Sequence, residues 1–225
     1  MPPYRQSGIS LISLMIGLLI SMVALLGMLS LYSTIVKSTV QSSRDARVSA
    51  ERSSTLLVAH RYLQGAGYGI DNASRGTDML LFAGTTLDDN SLSGGNIITN
   101  ANPGNTLLWR TQTDGSNMRC SGLHAPSSND QGGLYLLRPQ SCSPLAWPDD
   151  WEVRPLLVDS TDAAGDASPF TITLKDIPDC KVLGVINAGG LAVTLGTSIA
   201  TSDNNDPIEI NSTTCLLNFA SGGTP

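Results

Sequence analysis

The sequence predicts an α+β fold in which one long N-terminal α-helix packs on an antiparallel β-sheet head. Three observations predict it. Residues 9–36 contain no Asp, Glu, Lys, Arg or His. No Pro or Gly occurs from residue 28 to residue 64, so one helix can continue to about Leu63. Beyond Gly69, residues such as Gly, Ser, Asn and Asp separate short β-prone runs, several of which alternate apolar and polar side chains.

The first element, residues 9–36, is predicted to be a transmembrane helix. Its length would be about 42 Å at 1.5 Å per residue, against about 30 Å of bilayer hydrocarbon. A secretory signal peptide is the main alternative, but the run is too long for a signal core and no small-x-small cleavage site ends it. Arg5 is expected to stay in the cytoplasm by the positive-inside rule, although Lys37 and Arg44 beyond the helix weaken this argument.

The second element, residues 37–64, is predicted to be an amphipathic stem that continues the same helix. Its opposite face carries Arg44, Arg47 and Arg52, which are expected to be solvated, with pairing to acidic neighbours in an assembly as the alternative. Glycines at positions 65, 67 and 69 are expected to end the helix. The apolar stripe expected to pack on the sheet consists of Val36, Val40, Val48, Leu56, Ala59 and Leu63, with Leu57 and Val58 alongside.

The third element, residues 65–225, is predicted to be a β-rich extracytoplasmic head. It carries seven Lys and Arg against seventeen Asp and Glu, a net charge of −10, so nucleic-acid binding by the head as a whole is not expected. Loops are predicted at residues 88–105, 111–132, 159–169 and 201–206. Strands are predicted at residues 79–84, 105–112, 133–139, 151–158, 170–177, 181–186, 191–199 and 215–220.

The four cysteines, Cys120, Cys142, Cys180 and Cys215, predict two disulfides in an oxidising compartment. None lies in a CxxC pair, and the chain has only two histidines, so a zinc site is not favoured. Three pairings are possible. Sequential pairing, Cys120–Cys142 and Cys180–Cys215, is favoured because each bond closes a modest loop, worth about 3–4 kcal/mol in the loop-entropy model.

No catalytic motif is present. The sequence lacks GxSxG, a P-loop and GxGxxG before a helix, and His60 and His124 have no triad-like spacing. The acid-rich segment 202–209 lacks the spacing of a calcium loop, so a solvated turn is favoured there. The three tryptophans, Trp109, Trp147 and Trp151, are interpreted as core or sheet-edge residues. We therefore expect neither an enzyme nor a cofactor or metal site.

Two segments resemble a known family. Gln6-Ser7-Gly8 followed by ISLISLMI resembles the class III leader of type IV pilins and type II secretion pseudopilins. The resemblance implies that residues 1–8 are a leader, cut after Gly8 by a prepilin peptidase, and that the new amine on Ile9 is methylated. The stretch RYLQGAGYGI, residues 61–70, resembles the DLRxAGYxG segment of PilW-like minor pilins, which are relatives of pseudopilin J. The two matches cover about 70 residues.

Ser13 departs from the family pattern, which has glutamate at this position. In the family that carboxylate pairs with the N-terminal amine of a neighbouring subunit, and serine has no charge to offer. Two interpretations stay open: a place at or near the filament tip, where no subunit lies ahead, or a tolerated substitution in a low-copy subunit. Both predict that the chain is not the major subunit.

The resemblance implies a minor pilin that belongs to the priming or tip complex of a type IV pilus and serves assembly, adhesion, twitching motility or DNA uptake. Its partners would be other minor and major pilins, the prepilin peptidase and the inner-membrane assembly platform. It would first lie in the inner membrane as a single-pass protein with a periplasmic head, and later in the surface pilus. A J-like pseudopilin of a type II secretion system is the closest alternative. A signal-anchored periplasmic enzyme or binding domain is the alternative from another class.

Overall fold

The computed structural model describes residues 11–115, 117–126, 133–158, 170–177, 180–182, 185–188, 190–201 and 207–219. The chain divides into two compact units, one that ends at Arg47 and one that begins at Val48. Within the described ranges it forms one long helix and eleven strands. The antiparallel head with a helix packed on it confirms the predicted α+β class.

The helix α1 runs from Leu11 to Gln64, so the predicted continuous helix is confirmed from its first described residue. Its last turn tightens, since the N–H groups of Gly65 and Ala66 donate to the carbonyls of Tyr62 and Leu63 at 3.2 and 3.0 Å. Its basic last-turn residue, Arg61, is favourable beside the partial negative charge of a helix C-terminus.

The strands form three antiparallel sheets. A six-stranded sheet has the order β2-β1-β3-β4-β5-β6, a three-stranded sheet has the order β11-β10-β7, and β8 pairs with β9. Reciprocal backbone hydrogen bonds between Gly104 and Ile172, at 2.7 and 3.1 Å, join the two larger sheets. The strand bounds are β1 Met79–Asp88, β2 Ser91–Ile97, β3 Thr106–Gln112, β4 Met118–His124, β5 Gly133–Ser141, β6 Val153–Val158, β7 Thr171–Asp176, β8 Cys180–Val182, β9 Val185–Ala188, β10 Leu191–Thr201 and β11 Pro207–Leu216.

The six-stranded sheet buries side chains on both faces. On one face, Leu107 and Trp109 of β3 join the main core with residues of α1 and the three-stranded sheet. On the other face, Leu108 of β3 and Leu137 of β5 form a smaller cluster with Trp151. Because successive strand residues point to opposite faces, the apolar run Leu107-Leu108-Trp109 supplies both cores.

Two predicted loops were wrong, because they contain strands β2 and β4. Strand β2 is a polar, largely exposed edge strand whose neighbour in the sheet is β1, so it lacks the alternation that marks a half-buried strand. Strand β4 contains Gly122, which the prediction treated as loop punctuation. A Cβ at Gly122 would lie 2.5 Å from Leu108 Cδ2 and 2.9 Å from Leu107 O, so the glycine allows close packing between β3 and β4.

Other boundaries also differ. The predicted last strand, residues 215–220, is displaced, because β11 ends at Leu216 and begins at Pro207, where a turn was predicted up to residue 209. The predicted strand 181–186 falls across β8 and β9, and residues 183–184 lie outside the described ranges. The predicted loop 159–169 and most of the predicted loop 201–206 also lie outside them, whereas Thr201 is the last residue of β10.

The predicted apolar stripe of the stem is correct only toward its end. Leu56, Ala59 and Leu63 are buried in the main core, but Val40 and Leu57 are exposed. Positions 56, 59 and 63 share one helical face, whereas position 57 is rotated by about 100° from position 56. Val36 and Val58, which were also assigned to the stripe, are 40% and 42% exposed.

Candidate functional site

The first half of α1 is the most apolar surface of the described chain. From Leu11 to Val36 every residue is exposed, and none is Asp, Glu, Lys, Arg or His. The helix contains a strongly apolar stretch of 18 residues, none of which is buried. This segment is long and apolar enough to cross a membrane as a single-pass anchor. We refer to residues 11–36 as the anchor segment.

Three hydroxyl groups in the anchor segment are hydrogen-bonded to its own backbone. Ser21 Oγ donates to the carbonyl of Gly17 at 2.8 Å, and Ser33 Oγ and Thr34 Oγ1 donate to the carbonyl of Ser30 at 2.8 and 3.1 Å. Such bonds to the preceding turn remove the need for water, which lowers the cost of placing these side chains in lipid. The anchor segment is therefore chemically suited to a membrane despite its polar residues.

The residues assigned by family resemblance lie at the beginning of the chain. Gly8 and Ile9, the predicted processing site, lie outside the described residues. Ser13 is in the first turn of α1 and is exposed.

Arg52 was expected to be solvated or to face an assembly partner, and this expectation was wrong. The side chain is buried, with 5% of its surface exposed. Its Nη1 donates to Thr197 Oγ1 at 3.1 Å and also to the carbonyl of Ser198, both on β10. Arg52 thus holds the stem on the three-stranded sheet. Arg44 and Arg47 are exposed, as predicted.

The glycine-rich segment after α1 is bonded to the edge of β3. The N–H of Gly67 donates to the carbonyl of Arg110 at 2.9 Å, and the N–H of Gln112 donates to the carbonyl of Tyr68 at 2.7 Å. Gly69 has φ +76°, and a Cβ there would lie 1.8 Å from the carbonyl oxygen of Gln112. The AGYG pattern is therefore required locally to turn the chain against β3.

A groove of about 530 Å³ lies between the end of α1 and the six-stranded sheet. The helix contributes Val58, Arg61 and Tyr62 to its lining, and β3 contributes Trp109 and Thr111. Its described lining contains no carboxylate, imidazole or thiol, and its charged group is the Arg61 guanidinium.

The two histidines contact hydroxyl groups. His60 Nδ1 lies 2.6 Å from Thr214 Oγ1, and its Nε2 lies 2.9 Å from Gln64 Nε2. His124 is buried, and its Nδ1 lies 2.6 Å from Thr106 Oγ1. These contacts join the stem to β11 and β4 to β3. Each imidazole therefore has a structural role, because it connects two elements of the fold.

A disulfide joins Cys120 to Cys142, with a Cα–Cα distance of 5.7 Å, so this favoured pair is confirmed. Cys215 is also disulfide-bonded. The favoured pair Cys180–Cys215 involves the side chain of Cys180, which lies outside the described residues. The first bond fastens the start of the segment 142–151, which we call the clamped loop, to strand β4.

The clamped loop also stacks on a buried arginine, a contact that the sequence did not predict. Arg110 Cζ lies 4.3 Å from the centre of the Trp147 ring, and its Nη1 donates to the carbonyl of Thr77 at 2.7 Å. Burial lowers the pKa of the Arg110 guanidinium, and the negative charge of Asp78 opposes this shift. Trp109 and Trp151 are buried and Trp147 is half-buried, in agreement with the predicted core and sheet-edge roles.

The acidic segments give no metal site among the described residues. Asp89 and Asn90 have φ +43° and +74°, values that suit the two-residue hairpin turn between β1 and β2. In the acid-rich segment 202–209, residues 202–206 lie outside the described ranges, and Glu209 is an exposed residue of β11.

The fold and this site define an α+β protein whose single long N-terminal helix is apolar enough to anchor it in a membrane. Comparison with family models, with curated proteins and with solved structures finds no match to the chain.

Proposed function

We propose that this chain is a minor pilin, a structural subunit of the priming or tip complex of a type IV pilus. The observation that carries the proposal is the composition of α1. Its first half, the anchor segment, is exposed and apolar and contains no Asp, Glu, Lys, Arg or His, and the last part of the same helix belongs to the core of a disulfide-bonded head. Such a helix needs an apolar environment at one end and a folded domain at the other.

The anchor segment has two possible apolar environments, a bilayer and a bundle of like helices. A permanent anchor needs only the first. The resemblance of residues 6–16 to a class III leader and of residues 61–70 to the end of a PilW-like stem favours a subunit that uses both in turn. The structural role is then mechanical: the helix packs in the fibre and the head presents its loops outside.

Processing of the N-terminus tests the proposal directly. The full chain is purified from the cells that express it, and the mature N-terminus is identified by mass spectrometry. We expect a chain that begins with methylated Ile9. Gly8→Val should block this cut, and Ser7→Ala is the matched control that should leave it intact. An unprocessed chain that retains Met1 would reject the proposal.

The location of the mature protein distinguishes a pilin from the alternatives, a J-like pseudopilin and a signal-anchored periplasmic protein. Shearing should release the processed chain with surface fibres, and deletion of the gene should reduce piliation while protein secretion continues. Loss of secretion with normal pili would indicate the J-like pseudopilin instead. For the tip position, immunogold labelling should mark fibre ends, and regular labelling along the shaft would exclude it.

A further inference from the structure

The clamped loop exposes an apolar tip. Leu145 is 95% exposed, more than any other large apolar side chain in the described part of the chain. Elsewhere in the head, the next values are 59% for Tyr68 and 54% for Ile97. Pro144 and Ala146 beside it are also exposed. An isolated exposed leucine is common on protein surfaces, but this one lies on a loop that is held by several contacts.

Three contacts fix this loop at both ends and along its length. The disulfide from Cys142 to Cys120 fastens its start, and the stacking of Trp147 on Arg110 fastens its middle. Trp151, at its end, is 2% exposed in the smaller core cluster. A loop that only closed the sheet edge would not need to present a leucine at its tip.

The tip itself is a hydrogen-bonded turn. The N–H of Leu145 donates to Ser143 Oγ at 3.2 Å, and the N–H of Ala146 donates to the carbonyl of Ser143 at 3.4 Å. Because the loop is ordered before any partner arrives, a contact through Leu145 loses little conformational entropy.

The second half of the clamped loop carries acidic side chains. Asp149 and Asp150 follow it in the same loop and are exposed. Ser91 Oγ donates to the carbonyl of Asp149 at 3.3 Å, and the N–H of Trp151 donates to the carbonyl of Asn90 at 2.7 Å. These bonds bring the β1–β2 turn, with its own exposed aspartates at positions 88 and 89, to the side of the loop.

We propose that the clamped loop is a docking surface for another protein, in which Leu145 enters an apolar pocket bordered by lysine or arginine side chains. The charge of the head selects this partner. With a net charge of −10 over residues 65–225, the head repels a second copy of itself and an anionic lipid surface. This inference goes beyond the proposed function, because it holds whether the anchor segment stays in lipid or enters a fibre.

Site-specific photo-crosslinking in the full chain tests this surface. The probe p-benzoylphenylalanine replaces Leu145, and the matched control carries it at Ile208, which is 47% exposed on β11. After irradiation of intact cells, we expect a protein adduct from position 145 and none from position 208. Peptide mapping should place the crosslink on a different protein, in a segment that contains Lys or Arg.

Charge reversal then tests the acidic side chains of the clamped loop. Asp149→Lys with Asp150→Lys should lower the adduct yield about fivefold, as expected for the loss of two exposed ion pairs. The far-ultraviolet spectrum and urea midpoint of this variant are measured to show that the head remains folded. The proposal is overturned by an adduct equal to that of position 208, by adducts to lipid or to a second copy of this chain alone, or by a yield that charge reversal leaves unchanged.

Discussion

Replacing Arg52 with alanine should destabilise the head. The change removes a buried guanidinium that donates to Thr197 Oγ1 at 3.1 Å and to the carbonyl of Ser198. A hydrogen bond from a charged group is worth about 1.5–3 kcal/mol, and the two bonds share one side chain, so we expect a combined loss of about 3 kcal/mol. Arg44→Ala is the matched control, since Arg44 is exposed on the same helix and should change the free energy of unfolding by less than about 0.5 kcal/mol.

Urea unfolding of the full chain in detergent micelles, followed by tryptophan fluorescence, measures both variants. Trp109 and Trp151 are buried in the head and report its unfolding. With a slope of about 2 kcal/mol/M, the Arg52→Ala midpoint should fall by about 1.5 M. Arg52→Met keeps the aliphatic part of the side chain but removes the hydrogen-bond donors. Its loss of unfolding free energy should therefore be smaller than that of Arg52→Ala. If Arg52→Ala unfolds at the same urea concentration as Arg44→Ala, the buried contacts with β10 do not hold the stem.

Three further predictions concern the clamp, the turn and the anchor. Replacing Cys120 and Cys142 together by alanine should cost about 3 kcal/mol on the loop-entropy model for a separation of 22 residues; an unchanged urea midpoint would contradict it. Gly69→Ala should cost about 2–4 kcal/mol, because the residue has a positive φ and a Cβ would clash with β3. Gly76→Ala should cost about 1 kcal/mol, because Gly76 also has a positive φ but has open space around it. Equal decreases in melting temperature for the two variants would contradict the clash. Ser13→Glu should leave fibres intact, with this subunit shifted in position; complete loss of piliation, seen by electron microscopy, would argue against the proposed tip role.

The helix and most of the central strands could be predicted because their signals are local. An uncharged run and a Pro-free, Gly-free stretch define α1, and runs such as MLLFAG and GLYLLRP mark strands that are buried on at least one side. Strand β2 was not predicted because an exposed edge strand needs no alternation of apolar and polar residues. Strand β4 was not predicted because a single sequence does not distinguish a glycine that allows close packing of strands, such as Gly122, from a glycine in a turn.

The contacts that complete the head could not be predicted because they join distant positions. The acceptor of Arg52 on Thr197 is 145 residues away in sequence, so nothing near Arg52 distinguishes it from Arg44. The stacking of Arg110 on Trp147 likewise depends on the loop that the disulfide brings over β3. Cysteine spacing gave the pairing of Cys120 with Cys142, since loop entropy favours near neighbours, but it did not indicate what the enclosed loop covers.

The absence of charge in the anchor segment bears on how such a subunit would leave the membrane. A carboxylate in lipid costs several kcal/mol, and a subunit that carries one gains by neutralising it in a fibre. The anchor segment contains no Asp, Glu, Lys, Arg or His, and three of its hydroxyls are bonded to its own backbone, so a lipid environment is favourable for it. Lipid tails are as apolar as a helix bundle, so helix packing alone supplies a weak driving force for transfer. In the proposed fibre, contacts of the head would supply the rest of the free energy, and the clamped loop is the surface that we propose for such a contact.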